Sequence, residues 1–161
     1  MNHADQVRFF FNPHPITAPA KPDSISRLPL EFHRRLPGYA PTPLLEVPEL
    51  ARSLGIGQFL IKDGSSRLGL PAFKILGASW AVYRALETRL GCSLEPWRTV
   101  QELAEHLAPL RPLTVATATD GNHGRAVAHV AALLGLEAQI YVPAGTAQAR
   151  IDGIASEGAG V

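Results

Sequence analysis

Residues 113–124 read LTVATATDGNHG, a stretch in which a strand pattern runs directly into a helix start. Its first seven residues are small, branched or hydroxylated, which favours a strand. The helix that follows is predicted from Asn122 to Leu134, where Gly135 ends it. A strand that leads at once into a helix is the repeating unit of an α/β fold.

The flanking segments extend this pattern in both directions. Downstream we predict a strand over Ala138–Val142, a helix over Thr146–Glu157 and the first residue of another strand at Val161. Upstream, apolar residues at helical spacing predict a helix over Lys74–Leu90, and a capping box at Thr99 begins another. The sequence therefore predicts an α/β fold with an open parallel sheet and flanking helices.

Composition excludes several classes of partner. The 161 residues carry a net charge of +1, which offers no basic surface for nucleic acid or an anionic membrane. The single cysteine, Cys92, excludes an internal disulfide framework and suits a reducing compartment. Charged residues interrupt every long apolar run. We therefore expect a cytoplasmic protein that binds neither nucleic acid nor membrane.

The loop between the predicted strand and helix has the features of a ligand site. It lies at the carboxyl end of a parallel strand, where open α/β sheets bind ligands, and at a helix amino terminus that suits an anion. Gly121 and Gly124 would let a ligand approach the backbone, and Asn122 can both donate and accept a hydrogen bond. The alternative is that Asp120 and Asn122 merely cap the helix, with His123 a structural histidine.

Lys74 is the second candidate. The chain has three lysines, at 21, 62 and 74, and its other basic residues are arginine. A lysine flanked by Phe73 and Ile75 can lose its proton in apolar surroundings and become a nucleophile able to form a Schiff base, which arginine cannot do. The alternative is a lysine whose amine extends to solvent from a helix end.

Together these segments resemble a known enzyme family. Residues 62–77 (KDGSSRLGLPAFKILG) and 119–125 (TDGNHGR) are similar to the diaminopropionate ammonia-lyase family, within the tryptophan synthase β-like, fold type II group of pyridoxal-phosphate enzymes. The segments PTPL at 41–44 and IYVP at 140–143 also match that group. The resemblance covers roughly residues 38–161.

The resemblance implies a role for each candidate residue. Lys74 would bind the aldehyde of pyridoxal 5'-phosphate and act as one catalytic base, with Phe73 against the pyridine ring. Asn122 would bind the 3-oxygen of the ring, and Asp120 would be the base on the opposite face. The implied reaction is elimination of ammonia from 2,3-diaminopropionate, an amino-acid substrate of either stereochemistry, to give pyruvate. No metal site is expected, and a homodimer is the expected assembly.

The resemblance also divides the chain. Residues 1–40 form a predicted irregular amino-terminal arm over a neighbouring surface, and residues 41–161 the amino-terminal part of the catalytic domain. The phosphate-binding glycine-rich loop of the group is expected beyond residue 161, so residues 1–161 alone should be inactive or nearly so. A threonine or serine dehydratase, a ligand-binding module without catalysis and a remnant of a disrupted gene are the alternatives.

Overall fold

A computed structural model describes residues 26–161 of the chain. The helices are α1 (Leu28–Arg34), α2 (Pro48–Leu54), α3 (Lys74–Leu90), α4 (Val100–Leu107), α5 (Asn122–Leu133) and α6 (Gln148–Ala155), and a single 3₁₀ turn covers Ala108–Leu110. The strands are β1 (Leu44–Glu46), β2 (Leu60–Lys62), β3 (Thr114–Ala118) and β4 (Glu137–Tyr141). None of the helices in this part of the chain is long and apolar enough to cross a membrane.

A parallel sheet positions the site. β3 and β4 pair in parallel over their full lengths, from Thr114 opposite Glu137 to Ala118 opposite Tyr141. Gly160 adds the start of a third parallel strand, since its N–H donates to the Ala138 carbonyl at 2.9 Å and its carbonyl accepts from Ile140 at 2.8 Å. The predicted open parallel sheet with flanking helices is therefore confirmed.

A separate ribbon precedes this sheet. β1 and β2 pair antiparallel, with Leu44 opposite Lys62. The Lys62 amine donates to the Thr42 carbonyl, so the extended segment before β1 is held against the end of β2. In the chain α2 separates the two strands, and it ends at Leu54 because Gly55, with a φ of 66°, closes the helix.

Two helices build the core around the sheet. The helical spacing predicts an apolar stripe of Ile75, Ser79, Val82, Leu86 and Leu90 along α3. The first four of these are buried where α3 packs along α5, and Leu90 at the helix end is half-buried. Glu87, which the helical spacing places outside the stripe, is also buried. Its carboxylate pairs with the Arg84 guanidinium and accepts hydrogen bonds from the Leu94 N–H at 3.1 Å and the Ser93 hydroxyl at 3.3 Å, and these contacts make its burial tolerable.

The arm predicted over residues 1–40 is not irregular throughout, because residues 28–34 form α1. Phe32 is 2% exposed and its ring lies between 4.9 and 5.7 Å from the rings of Trp80, Tyr83 and Trp97. This aromatic contact holds α1 on α3, and residues distant in sequence supply it. Residues 1–25 of the predicted arm lie outside the described residues, and the division at residue 40 stays a prediction.

Candidate active site

The loop from Thr119 to Gly121 connects β3 to α5 at the carboxyl end of the parallel sheet. The Thr119 N–H donates to the Tyr141 carbonyl at 2.9 Å, which continues the β3–β4 pairing by one residue. Gly121 is the N-cap of α5, and no side chain caps this helix. The interpretation of Asp120 and Asn122 as mere helix caps is therefore wrong for this structure. The first turn of α5 leaves its backbone N–H groups available to an anion.

The two loop glycines have different roles. No heavy atom lies within 4 Å of a Cβ added at Gly121, so the space beside it is open, as predicted for ligand approach. A Cβ at Gly124 would lie 2.6 Å from Thr119 Cγ2 and 2.7 Å from Ile140 Cγ2. Gly124 is buried and lets α5 lie close against the sheet, so its predicted role in ligand approach is wrong.

A cleft of about 410 Å³ opens beside this loop. It is lined by Ala118, Thr119, Asp120, Tyr141, Val142 and Pro143, the residues at the ends of β3 and β4. The Asp120 side chain is 64% exposed, and one of its carboxylate oxygens, Oδ2, lies 3.2 Å from Arg150 Nη1. The cleft thus places a carboxylate with one paired oxygen at the edge of the sheet.

A strained turn over residues 67–70 lies shortly before Lys74, the first residue of α3. Arg67 and Leu70 exchange backbone hydrogen bonds of 2.9 and 3.0 Å, and the residues between them, Leu68 and Gly69, have φ of 50° and 80°. A leucine with positive φ is strained, and its burial at 6% exposure holds it in place. The turn sets the path of the chain into α3 and so positions the Lys74 backbone.

The side chain of Lys74 is exposed rather than enclosed by apolar groups. Its amine lies 4.6 Å from the centre of the Phe73 ring, which is itself 62% exposed. The apolar setting predicted from Phe73 and Ile75 is therefore wrong for the described residues. Ile75 is 1% exposed because it faces the core, and a helix side chain one position earlier points elsewhere.

His33 ties α1 to the first turn of this helix. Its Nε2 lies 2.8 Å from the Leu76 carbonyl, two residues after Lys74. Burial lowers the pKa of His33, and the nearby Arg67 charge adds to that effect, although the hydrogen bond with Leu76 opposes it. A neutral His33 donates this hydrogen bond and so holds the amino-terminal end of α3.

Comparisons with known proteins identify the family of this chain. A family model described as "Pyridoxal-phosphate dependent enzyme" matches residues 35–161. The chain belongs to this family.

Diaminopropionate ammonia-lyase from Escherichia coli strain K12 is 42% identical over 152 residues, covering 93% of this chain and 36% of that protein. The crystal structure of the holo E. coli diaminopropionate ammonia lyase superposes with a TM-score of 0.75 and 41% identity, covering 83% of this chain and 33% of that one. A threonine deaminase from Solanum lycopersicum, at 23% identity and a TM-score of 0.53, shares the fold.

These matches confirm the predicted resemblance and the fold type II architecture. The chain spans about a third of the length of the curated relatives it matches. The predicted cofactor is confirmed at the level of the family, whose members depend on pyridoxal phosphate.

The described residues fit the aldehyde and ring of pyridoxal phosphate. Lys74 offers an accessible amine, and Phe73 beside it offers an exposed aromatic face on which a planar ring can stack. Asn122 is exposed at the first position of α5, where its amide can donate to a ring oxygen. These residues belong to two helices that pack against each other, α3 and α5, whose amino termini carry Lys74 and Asn122.

Two groups beside the site were not predicted from the sequence. Arg150 reaches Asp120 from α6, and Tyr141, 62% exposed, lines the cleft. Arg150 carries one local signal, since a cation in the first turn of a helix is electrostatically unfavourable and needs another reason to be there. His123, a structural histidine in the alternative interpretation, is exposed and lines a separate apolar cavity of about 570 Å³ between α3, β3 and α5.

Proposed function

We propose that the full-length protein eliminates ammonia from 2,3-diaminopropionate to give pyruvate. Water is consumed in the overall reaction, and both nitrogen atoms of the substrate leave as ammonia. The observation that carries the proposal is the exposed carboxylate of Asp120 on the loop at the carboxyl end of β3. The 42% identity to the E. coli ammonia-lyase supports it.

Pyridoxal phosphate, when bound, supplies an aldehyde that captures amines and a ring that accepts the electron pair left when Cα loses its proton. The residues of this chain would hold and orient that group. Lys74 would supply the amine for its aldehyde, Phe73 would lie along one face of its ring, and Asn122 would donate to the ring oxygen. The free N–H groups at the start of α5 add a partial positive charge to this end of the site.

Two bases on different elements account for proton transfer from either stereoisomer. The Lys74 amine would take the Cα proton from one face of the substrate. Asp120, on the loop after β3, would take it from the opposite face. Since L and D substrates present their Cα protons to opposite faces, each base serves one isomer.

Turnover of defined substrates tests the reaction. The full-length protein, supplied with pyridoxal phosphate, is expected to release pyruvate from both isomers of 2,3-diaminopropionate faster than from serine or threonine. Faster release of 2-oxoacids from serine or threonine would instead identify a dehydratase. Asp120→Asn is expected to suppress turnover of the D isomer selectively, and equal losses for both isomers would remove its assigned role.

Chemical trapping tests Lys74 independently of turnover. Borohydride reduction followed by mass analysis is expected to leave a stable cofactor adduct on Lys74, and Lys74→Ala should abolish it. Lys62→Ala is the matched control, because Lys62 is bound to the Thr42 carbonyl and should not accept the cofactor. An adduct that persists in Lys74→Ala, or none in the unsubstituted protein, would contradict the assignment and favour a binding module.

We also propose a homodimer acting in the cytoplasm. Exposed apolar side chains on the β1–β2 ribbon, including Leu44, Leu45 and Leu60, are compatible with a covered surface. The lone cysteine, Cys92, is compatible with a reducing compartment. Light scattering of the full-length protein tests the assembly, and a monomer at micromolar concentration would contradict it.

A further inference from the structure

The Arg150 guanidinium contacts both the side chain and the backbone of Asp120. Arg150 Nη1 donates to Asp120 Oδ2 at 3.2 Å and to the Asp120 carbonyl at 3.3 Å. The two residues are thirty positions apart in sequence, and the contact joins α6 to the loop that follows β3. One guanidinium nitrogen therefore bridges the main-chain carbonyl and the carboxylate of Asp120.

The position of Arg150 in its own helix is unfavourable without this contact. Arg150 is the third residue of α6, and the first turn of that helix contains no acidic residue. A cation there meets the positive end of the helix dipole. The interaction with Asp120 gives the arginine a partner of opposite charge and so offsets this unfavourable position.

The rest of α6 is held firmly enough to keep the Arg150 side chain directed at Asp120. Ile154 is fully buried, and its Cδ1 lies 3.4 Å from the position a Cβ would take at Gly124. Glu157, just after the helix, accepts hydrogen bonds from Arg125 Nε and His129 Nδ1 on α5, each at 2.8 Å. α6 is thereby anchored to the same helix whose amino terminus forms the loop.

The contact leaves one carboxylate oxygen of Asp120 available. Among residues 26–161, Oδ1 of Asp120 accepts no hydrogen bond, whereas Oδ2 is held by Arg150. The pair is about 60% exposed on both sides, so it adds little to stability. Its effect is geometric, because a base must hold its free oxygen in line with the proton that it removes.

We propose that Arg150 is a positioning residue that holds Asp120 in the orientation needed to act as the base for the D isomer. The proposal rests on the proposed function, and it adds a residue on α6 to the site. It predicts a defect confined to one stereoisomer, which a general loss of stability would not produce.

Steady-state kinetics of the full-length protein with D- and L-2,3-diaminopropionate test it. Arg150→Gln is expected to lower kcat for the D isomer on the order of tenfold, because misplacing a catalytic group is costly, and to leave kcat for the L isomer within about twofold. Arg150→Lys keeps the charge and a donor and should retain more D-isomer turnover than Arg150→Gln. Arg52→Gln, which removes an exposed arginine of an ion pair on α2, is the matched control and should change neither isomer.

Other kinetic outcomes would overturn the proposal. Equal kcat losses for both isomers would indicate a structural role. A rise in KM for both isomers with kcat unchanged would indicate that Arg150 binds the substrate carboxylate instead. Less D-isomer turnover in Arg150→Lys than in Arg150→Gln would also contradict it.

A spectroscopic readout separates this proposal from the proposed function. In arginine-labelled full-length protein, the guanidinium resonances of Arg150 can be identified by their absence from Arg150→Gln. They should shift in Asp120→Asn if the contact exists in solution, and unchanged resonances would overturn the proposal even where turnover is observed. If the Arg150 resonances shift but diaminopropionate is not turned over, the contact exists and the proposed function is wrong. The catalytic purpose assigned to the contact would then be wrong as well.

Discussion

Glu157 Oε2 lies 2.8 Å from Nδ1 of His129, and the second oxygen of the same carboxylate accepts from Arg125 Nε at 2.8 Å. The Glu157 side chain is 14% exposed, so both oxygens are used within a largely buried contact between α5 and the end of α6. Burial opposes ionisation of Glu157, but the hydrogen bonds from His129 and Arg125 outweigh it and lower the pKa below the usual 4.5. This interaction holds α6 in place beside the cleft.

Glu157→Gln is expected to lower the free energy of unfolding of the full-length protein at pH 7 by about 1–3 kcal/mol, because it removes charge-assisted hydrogen bonds. A carboxylate with a lowered pKa stabilises the fold above its unfolded pKa, near 4.5, and this contribution is lost as the pH falls through the lower folded value. Urea unfolding as a function of pH should therefore show the two proteins converging below pH 4.5. Glu49→Gln, in an exposed pair, is the control and should have little effect at any pH. A difference that stays constant in acid would contradict the assignment.

Gly124→Ala is expected to destabilise the protein by about 1–3 kcal/mol, because the new methyl group would overlap Thr119 and Ile140. The midpoint of urea unfolding measures the effect. Gly77→Ala is the matched control, since Gly77 is also helical and no heavy atom lies within 4 Å of its added Cβ. That control should be neutral or stabilising by up to about 1 kcal/mol. Equal effects of the two substitutions would show that packing at Gly124 is not limiting.

His33→Gln is expected to reduce the loss of stability between neutral and mildly acidic pH. The folded pKa of His33 lies below 6.5, so the unfolded chain takes up a proton first and the free energy of unfolding falls as the pH drops below 6.5. The loss continues until the folded pKa is reached. Unfolding monitored by tryptophan fluorescence between pH 5 and 8, a range of about three units around the histidine pKa, gives the slope for each protein. An identical slope in His33→Gln would contradict this origin.

Arg111→Met is expected to cost about 1–3 kcal/mol of unfolding free energy, because Arg111 Nη2 donates to the Ala104 carbonyl at 2.8 Å and the Leu134 carbonyl at 3.0 Å. These carbonyls belong to the ends of α4 and α5, so one guanidinium satisfies both helix termini. Arg52→Met removes an exposed ion pair with Glu49 and should lower the free energy of unfolding by less than about 0.5 kcal/mol. Thermal unfolding of both variants measures these losses of stability. Equal losses would contradict the interpretation that Arg111 caps the ends of both α4 and α5.

Local patterns in the sequence were sufficient to predict most elements. The bounds of α3, Lys74 to Leu90, agree with the prediction because a regular apolar stripe begins after Phe73 and Gly91 ends it. The helix after Thr99 agrees as well, since the Thr99 hydroxyl accepts from the Glu102 N–H at 3.2 Å. The loop with Asp120 and Asn122 was found because its position at a strand–helix junction depends only on neighbours in sequence.

The tertiary structure decided the features that join distant segments. The aromatic contact that holds α1 on α3 depends on Phe32 packing against Trp80 and Tyr83, and local spacing does not predict contacts over that separation in sequence. The pairing of Arg150 with Asp120 and the exposure of Lys74 likewise depend on how α6 and α3 are placed around the sheet. Sequence alone determined most of the strands and helices and the chemical groups of the site, because these follow from short-range periodicity and residue type. Burial, orientation and the partners of each charged group required the fold, because they depend on packing between elements far apart in the chain.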